Sequence, residues 1–212
     1  SSFESEAAKL GKRQTSTEWS YGYGDINDET GEVSFTPLPF WTGERWQMEK
    51  DWPLKDNPLS YLFADEGNTH SGYTRKESAI YQWRSPDDLR IKIKSVVKRP
   101  NVNKGNGVRI KVAKSSGGLV FDQVMDPKLE TMDVSISELQ VKKGEFVYFL
   151  VDPHENNSSF DSVTWSPQIV DLEGNWAMWG LAESFSGPAT PATAWDAYSH
   201  ALLNTNRFLF IE

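Results

Sequence analysis

The sequence contains no cysteine, which removes disulfide frameworks, thiol nucleophiles and thiolate-bound zinc together. Histidine is scarce as well, with only His70, His154 and His200, and no two fall at the spacing of a helical metal site. His-Glu-x-x-His and Gly-x-Ser-x-Gly patterns are both missing. Any metal ligation therefore rests on His, carboxylates and carbonyls. Basic excess is missing too: 22 Lys and Arg stand against 30 Asp and Glu, for a formal charge of −8. Such a chain carries no field to displace counterions from phosphates, so no nucleic-acid partner and no attraction to anionic membranes is expected. No apolar run approaches the roughly 18 residues of a membrane span. The opening Ser1 to Glu6 lacks the basic-then-apolar order of an export leader, and the chain reads as a mature protein or an excised domain.

Aromatic side chains are what the sequence does have: 9 Trp, 7 Tyr and 11 Phe in 212 residues. Aromatics fit the pleated faces of a β core, and packing of that kind is expected to take about two thirds of the Trp. The remainder point to a stacking platform for a ring-shaped ligand.

Residues 1–17 read as a polar lead-in with a short helix near Glu4 to Leu10. Residues 18–172 read as a β-sandwich domain. Trp19 to Phe40 predicts two short strands joined by a turn at Asn27 to Gly31. Residues 37–77 are irregular, punctuated by Pro37, Pro39, Pro53 and Pro58, and a stretch so long without pattern is commonly functional. Ser78 to Arg84, Leu89 to Lys94, Val108 to Val112 and Met132 to Ile136 alternate, which predicts one face on a core and one in water. Gly117-Gly118 turns the chain into Leu119 to Phe121 as a hairpin partner. Phe146 to Val151 is apolar throughout, as a central strand is, and Val163 to Leu172 predicts one further strand. Residues 173–212 read as a covering flap, a short helix over Ala194 to Leu203 and a final strand at Arg207 to Ile211. With no βαβ alternation, the prediction is an all-β, antiparallel, jelly-roll-like sandwich with a short C-terminal helix.

Carboxylates are so plentiful that a pair suited to glycoside hydrolysis arises by chance, and none is singled out as catalytic. Two oxygen-rich loops suit a structural calcium ion, with Asp25 and Asn27 in one and Asp152 and Asp161 in the other. The first does not match the helical calcium loop, because its glycine comes one position late. Trp41, Trp46 and Trp52 sit among Glu44, Arg45, Gln47 and Asp51, too polar a setting for all three to be core. A flat ring beside planar polar groups suits a sugar, whose axial C–H groups pack on the π face while its hydroxyls hydrogen-bond. Lys92, Lys94, Arg109 and Lys111 fall on outward strand positions and form a basic stripe if those strands pair. Ordinary surface charge is the plainer account.

The series Trp19-Ser-Tyr21-Gly-Tyr23, Trp46, His70, Ile80 to Pro86, Gly107-Val108, Lys143-Gly144-Glu-Phe146 and Asn157 to Asp161 resembles an accessory, carbohydrate-binding-module-like β-sandwich domain. That domain occurs in large secreted proteins of planctomycetes and related polysaccharide-degrading bacteria. Ala194 to Phe210 is similar to the C-terminal end of planctomycete-type cytochrome-associated proteins. The resemblance implies export or an envelope location, a larger parent polypeptide, and a polysaccharide or oligosaccharide partner. The expected ligand-binding residues are Tyr23, Trp46, Trp52, His70, Arg84, Asn157 and Asp161. Two other readings stay open: a structural domain that packs on its neighbours, and a carboxylate-dependent glycan-cleaving enzyme.

Overall fold

The computed structural model describes residues 18–51, 61–62, 68–173 and 177–188. Strand pairing among them is antiparallel throughout. The larger sheet runs β2 (Val33–Pro37), β1 (Trp19–Ile26), β6 (Ser78–Arg84), β11 (Phe146–Pro153), β8 (Val108–Lys114), β9 (Gly118–Met125). The second runs β10 (Thr131–Val141), β7 (Leu89–Lys98), β13 (Gln168–Asp171), β14 (Met178–Gly180), and the two-residue β12 (Thr164–Trp165) also pairs with β7. The irregular stretch holds more order than its prolines suggest, since β3 (Phe40–Trp41), β4 (Trp46–Gln47) and β5 (Tyr61–Leu62) form a small third sheet.

The predicted antiparallel β-sandwich is thus the fold, and its strands follow the hydrophobic pattern. Along β7 the apolar set Ile91, Ile93, Val97 is buried while Arg90, Lys94, Val96 and Lys98 face water. Strand β11, apolar from Phe146 to Val151, lies between β6 and β8, and it is buried on both faces. Of the six Trp described, Trp19, Trp83, Trp165 and Trp179 are buried in the main core. Trp165 donates its indole N–H to Ser95 Oγ at 2.9 Å, which accounts for a serine on the buried row of β7. The single strand expected over residues 163–172 is two strands, because Pro167 has no N–H to give the ladder. A short helix, α1 (Leu181–Ser184), follows β14. The helix expected over Ala194 to Leu203, the final strand and the lead-in lie outside the described residues.

One strand face departs from the sequence expectation. The β1–β2 hairpin curls across the outward face of the larger sheet and encloses a second small core of Ile26, Ile80, Ala113, Tyr148 and Leu150, with Val33 and Phe35 against it. Its tip presses on the β8–β9 turn so closely that a Cβ on Gly31 would lie 2.3 Å from the Gly118 Cα. Ion pairs pin it. Lys111 Nζ lies 2.6 Å from Asp152 Oδ2 and 3.1 Å from Asp28 Oδ1, and Arg75 Nη2 lies 3.0 Å from the same Asp28 oxygen. The Lys111 side chain is 0% exposed. The four-residue basic stripe therefore does not form. Strands β7 and β8 belong to different sheets, Lys111 is under the hairpin, and Arg109 is held in a two-bond pair by Asp122. Only Lys92 and Lys94 of that set remain together on an open face.

Candidate functional site: an aromatic groove beside β1

The β2 strand pairs with β1 from Gly22 to Ile26, and Leu38 N adds one bond to the Tyr21 carbonyl, so Trp19 and Ser20 would be an open edge. The small third sheet and the segment after α1 close over it. Tyr21 and Trp46 stack at 5.9 Å with 21° between their planes, and Phe185 meets Tyr21 edge-on at 4.7 Å. Trp41 lies 5.5 Å from Trp46 and 5.6 Å from Phe185. Such tilted and offset pairs suit the ring quadrupole and hold the cluster rigid. Trp46 Nε1 donates to Ser186 O at 2.8 Å, and Tyr21 Oη donates to Ser184 O at 3.3 Å. Gly187 packs flat on Trp41, where a Cβ would sit 2.5 Å from the indole. Any side chain at 187 would push this segment away. Burial raises the Tyr21 phenol far above its ordinary acid range, so it is a neutral hydroxyl at every physiological pH.

Between these parts runs a groove of about 380 Å³, lined by Trp19, Tyr21, Phe35, Trp46, Gln82 and the Ser186–Pro188 segment among others. Its size suits a mono- or disaccharide rather than a large cofactor. The amide of Gln82 is its main polar side chain, and that amide also bonds the Tyr148 phenol. The indole N–H of Trp19, a lining residue, is buried with no acceptor. The described lining residues include no Asp, Glu, His or Lys. Among the described residues the groove thus presents aromatic faces and hydrogen-bonding groups.

The expected site residues do not converge. Trp46 lines the groove, half-buried, and Trp52 lies outside the described residues. Tyr23 is half-buried against the main core. Arg84 is exposed at the C-terminal end of β6, two residues beyond the groove-lining Gln82, and its backbone N–H donates to Glu18 O. The remaining three gather at the opposite end, in the loops around β12. There His70 is buried, its ring 5.7 Å from Tyr61, and burial lowers its pKa in spite of the Ser71 and Ser158 backbone contacts. Asn157 is exposed and takes a hydrogen bond from Ser159 N. Asp161 is 0% exposed, neither carboxylate oxygen has a partner, and burial pushes its pKa up to about 7.

The oxygen ligands considered for calcium are also engaged or separated. Asp25 lies 3.5 Å from Arg75, Asn27 Oδ1 accepts the Glu29 and Thr30 amides, and Asp152 is paired with Lys111. Among the described residues no group of three or more His, Asp or Glu is placed to hold a metal ion. Sequence reasoning missed Trp19, Tyr21, Phe35 and Gln82 as site residues. The available signal was Gln82, the one amide flanked by Tyr81 and Trp83 in an otherwise apolar strand.

No family model and no curated protein matches the sequence. Solved structures with similar folds include a Podospora anserina GH26-CBM35 β-(1,4)-mannanase, at 16% identity and a TM-score of 0.30, covering 48% of this chain and 22% of that one. A family 35 carbohydrate binding module from an environmental isolate aligns at 10% identity and a TM-score of 0.36, over 64% of this chain and 95% of its own. CBM51 from Clostridium perfringens GH95, solved in complex with methyl-galactose, aligns at 13% identity and a TM-score of 0.36, over 72% and 91%. The chain spans about a fifth of the mannanase. Among the described residues no helix is long and apolar enough to cross a membrane.

Proposed function

We propose that the chain is a non-catalytic carbohydrate-binding module of a larger secreted protein, and that the groove beside β1 holds the glycan. The carrying observation is the groove itself: rings of Tyr21, Phe35 and Trp46 line a sugar-sized space floored by the Gln82 amide, with no carboxylate among its described lining residues. A pyranose stacks on the Trp46 face and its hydroxyls bond the Gln82 amide. Secretion and the larger parent follow the resemblance of the sequence to accessory domains of exported proteins.

Affinity electrophoresis through gels containing mannan, xylan or galactan tests the reading. Retardation by at least one neutral glycan is expected, and Trp46→Ala should weaken it at least about tenfold, the loss of one aromatic stacking partner. Trp46→Phe, which keeps a ring, should retain part of it. Absence of retardation on every neutral glycan sinks the proposal, and release of reducing ends would bring back the enzyme reading.

One observation favours the interaction-domain reading in addition. Phe160 is 48% exposed and held at a φ of 66°, a conformation bulky residues rarely adopt. An exposed ring kept in a strained backbone suits contact with a neighbouring domain.

A further inference from the structure

The outward face of the second sheet carries three lysines on one strand. Lys92, Lys94 and Lys98 share the outward side of β7, with Val96 between the last two, and among the described residues none of them takes part in an ion pair. By contrast Arg90, at the end of the same row, is paired with Glu138 and Glu173. Lysines on an edge strand are commonly guards against sheet-to-sheet aggregation. That account fails for β7, which has β10 on one side and β12 and β13 on the other. Lysine is also a poor strand residue, so three of them at the centre of a sheet are not explained by propensity.

The register shows what surrounds them. Lys94 lies between Ser135 and Gln168, Lys98 between Thr131 and Thr164, and Val170 is opposite Lys92 with Met178 beyond it. Val96 and Met178 are exposed, and three carboxylates face this row: Asp133 opposite Val96, outside ion-pair distance of the lysines, and Glu138 and Glu173, which are paired with Arg90. The face thus offers spaced cations, flanking hydroxyl and amide groups, and apolar side chains.

We propose that this face is a docking track for an acidic polysaccharide, with uronate carboxylates on Lys92, Lys94 and Lys98 and sugar hydroxyls on Ser135, Gln168 and Thr164. The charge spacing favours this polymer. Successive outward residues on a strand stand about 6.8 Å apart, so Lys92 and Lys94 are separated by that step and Lys94 and Lys98 by about twice it, whereas duplex DNA carries a charge about every 1.7 Å and calls for a dense basic field that a chain of net charge −8 lacks. The track is on a different sheet from the groove and does not depend on it.

Affinity electrophoresis with polygalacturonate is the test. Retardation is expected, falling as salt is raised. The triple variant Lys92→Gln, Lys94→Gln, Lys98→Gln should lose it at least tenfold. A control triple variant with the same charge change on other exposed lysines, Lys76→Gln, Lys128→Gln, Lys143→Gln, should keep it, as should Trp46→Ala. The proposal is overturned if the wild type is not retarded or if both triple variants lose retardation equally. It is overturned too if single-stranded DNA or anionic vesicles bind the same lysines as tightly as polygalacturonate.

Discussion

Replacing Lys111 with Met is expected to destabilise the protein by about 3–5 kcal/mol, the cost of leaving a buried charge without its partner. The Lys111 amine is enclosed between Asp152 and Asp28. Asp152 is itself buried, and burial raises its pKa even with Lys111, Arg75 and Arg109 nearby. Partial burial works against ionisation of Asp28 too, but Lys111, Arg109 and Arg75 hold its carboxyl below its ordinary range. Without the lysine, Asp152 keeps only the partly exposed Arg75, 3.5 Å away, and must ionise poorly compensated or take a proton. Urea unfolding at neutral pH measures the loss. A double variant, Lys111→Met with Asp152→Asn, should be less damaged than the sum of its single changes, because the orphaned charge is gone. The hairpin should also loosen, so that the amide of Asn27, which donates to the Glu32 carbonyl across it, exchanges faster in Lys111→Met. Unchanged protection there, with unchanged stability, would show that the ion pairs do not hold the hairpin.

The second large effect is a dependence of stability on pH through Asp161. Its acid range moves from an ordinary 3.8 to about 7 on folding, because burial disfavours the charged form more than Arg99 favours it. Arg99 is buried nearby, with Nη2 donating to the Lys104 and Phe160 carbonyls and its other nitrogens unpartnered. Between about pH 4 and pH 7 the folded state binds the extra proton, so this group's contribution to stability falls as pH rises through that window and levels above it. At about 1.4 kcal/mol per pH unit, the full window is worth on the order of 4 kcal/mol. His70 acts in the opposite sense: its folded pKa is depressed, so its contribution grows with pH up to its ordinary range. The comparison that isolates Asp161 is therefore Asp161→Asn against wild type, in which the other groups nearly cancel. The variant should gain on wild type steadily from about pH 4 to about pH 7 in chemical denaturation and hold its advantage above that. Parallel stability curves would rule the effect out.

Much of the sandwich was legible because its strands obey a period of two. The alternation of Leu89 to Lys94 and the unbroken apolar run of Phe146 to Val151 translate directly into β7, with one wet face, and β11, with none. The fate of Lys111 was not legible, since nothing local to Val108 to Val112 says that a distant hairpin will cover its outward side. Periodicity reports which residues share a face, not what lies over that face. The site followed the same division. Trp46 was picked out by its polar neighbours, whereas Trp19, Tyr21, Phe35 and Gln82 meet it only because the end of β1 lacks a strand partner and a segment near residue 186 folds across. His70 and Asp161 are chemically conspicuous in the sequence, yet burial has withdrawn both from solvent.

The order of the larger sheet also dictates how this chain must reach its native state. Its central ladder joins β6 to β11, with Trp83 opposite Val147, and β1 joins β6 only after the stretch from residue 37 to 77 has been closed into a loop. Few of these contacts are local, so chain entropy is lost before the ladders return it, and folding on the millisecond-to-second scale is expected. The same polymer arithmetic makes the loop forgiving, because doubling its length adds only about 0.6 kcal/mol of closure cost. Insertions between β2 and β6 that leave the third sheet intact should therefore slow folding and barely change stability, leaving this stretch free to vary in length while the sandwich stays fixed.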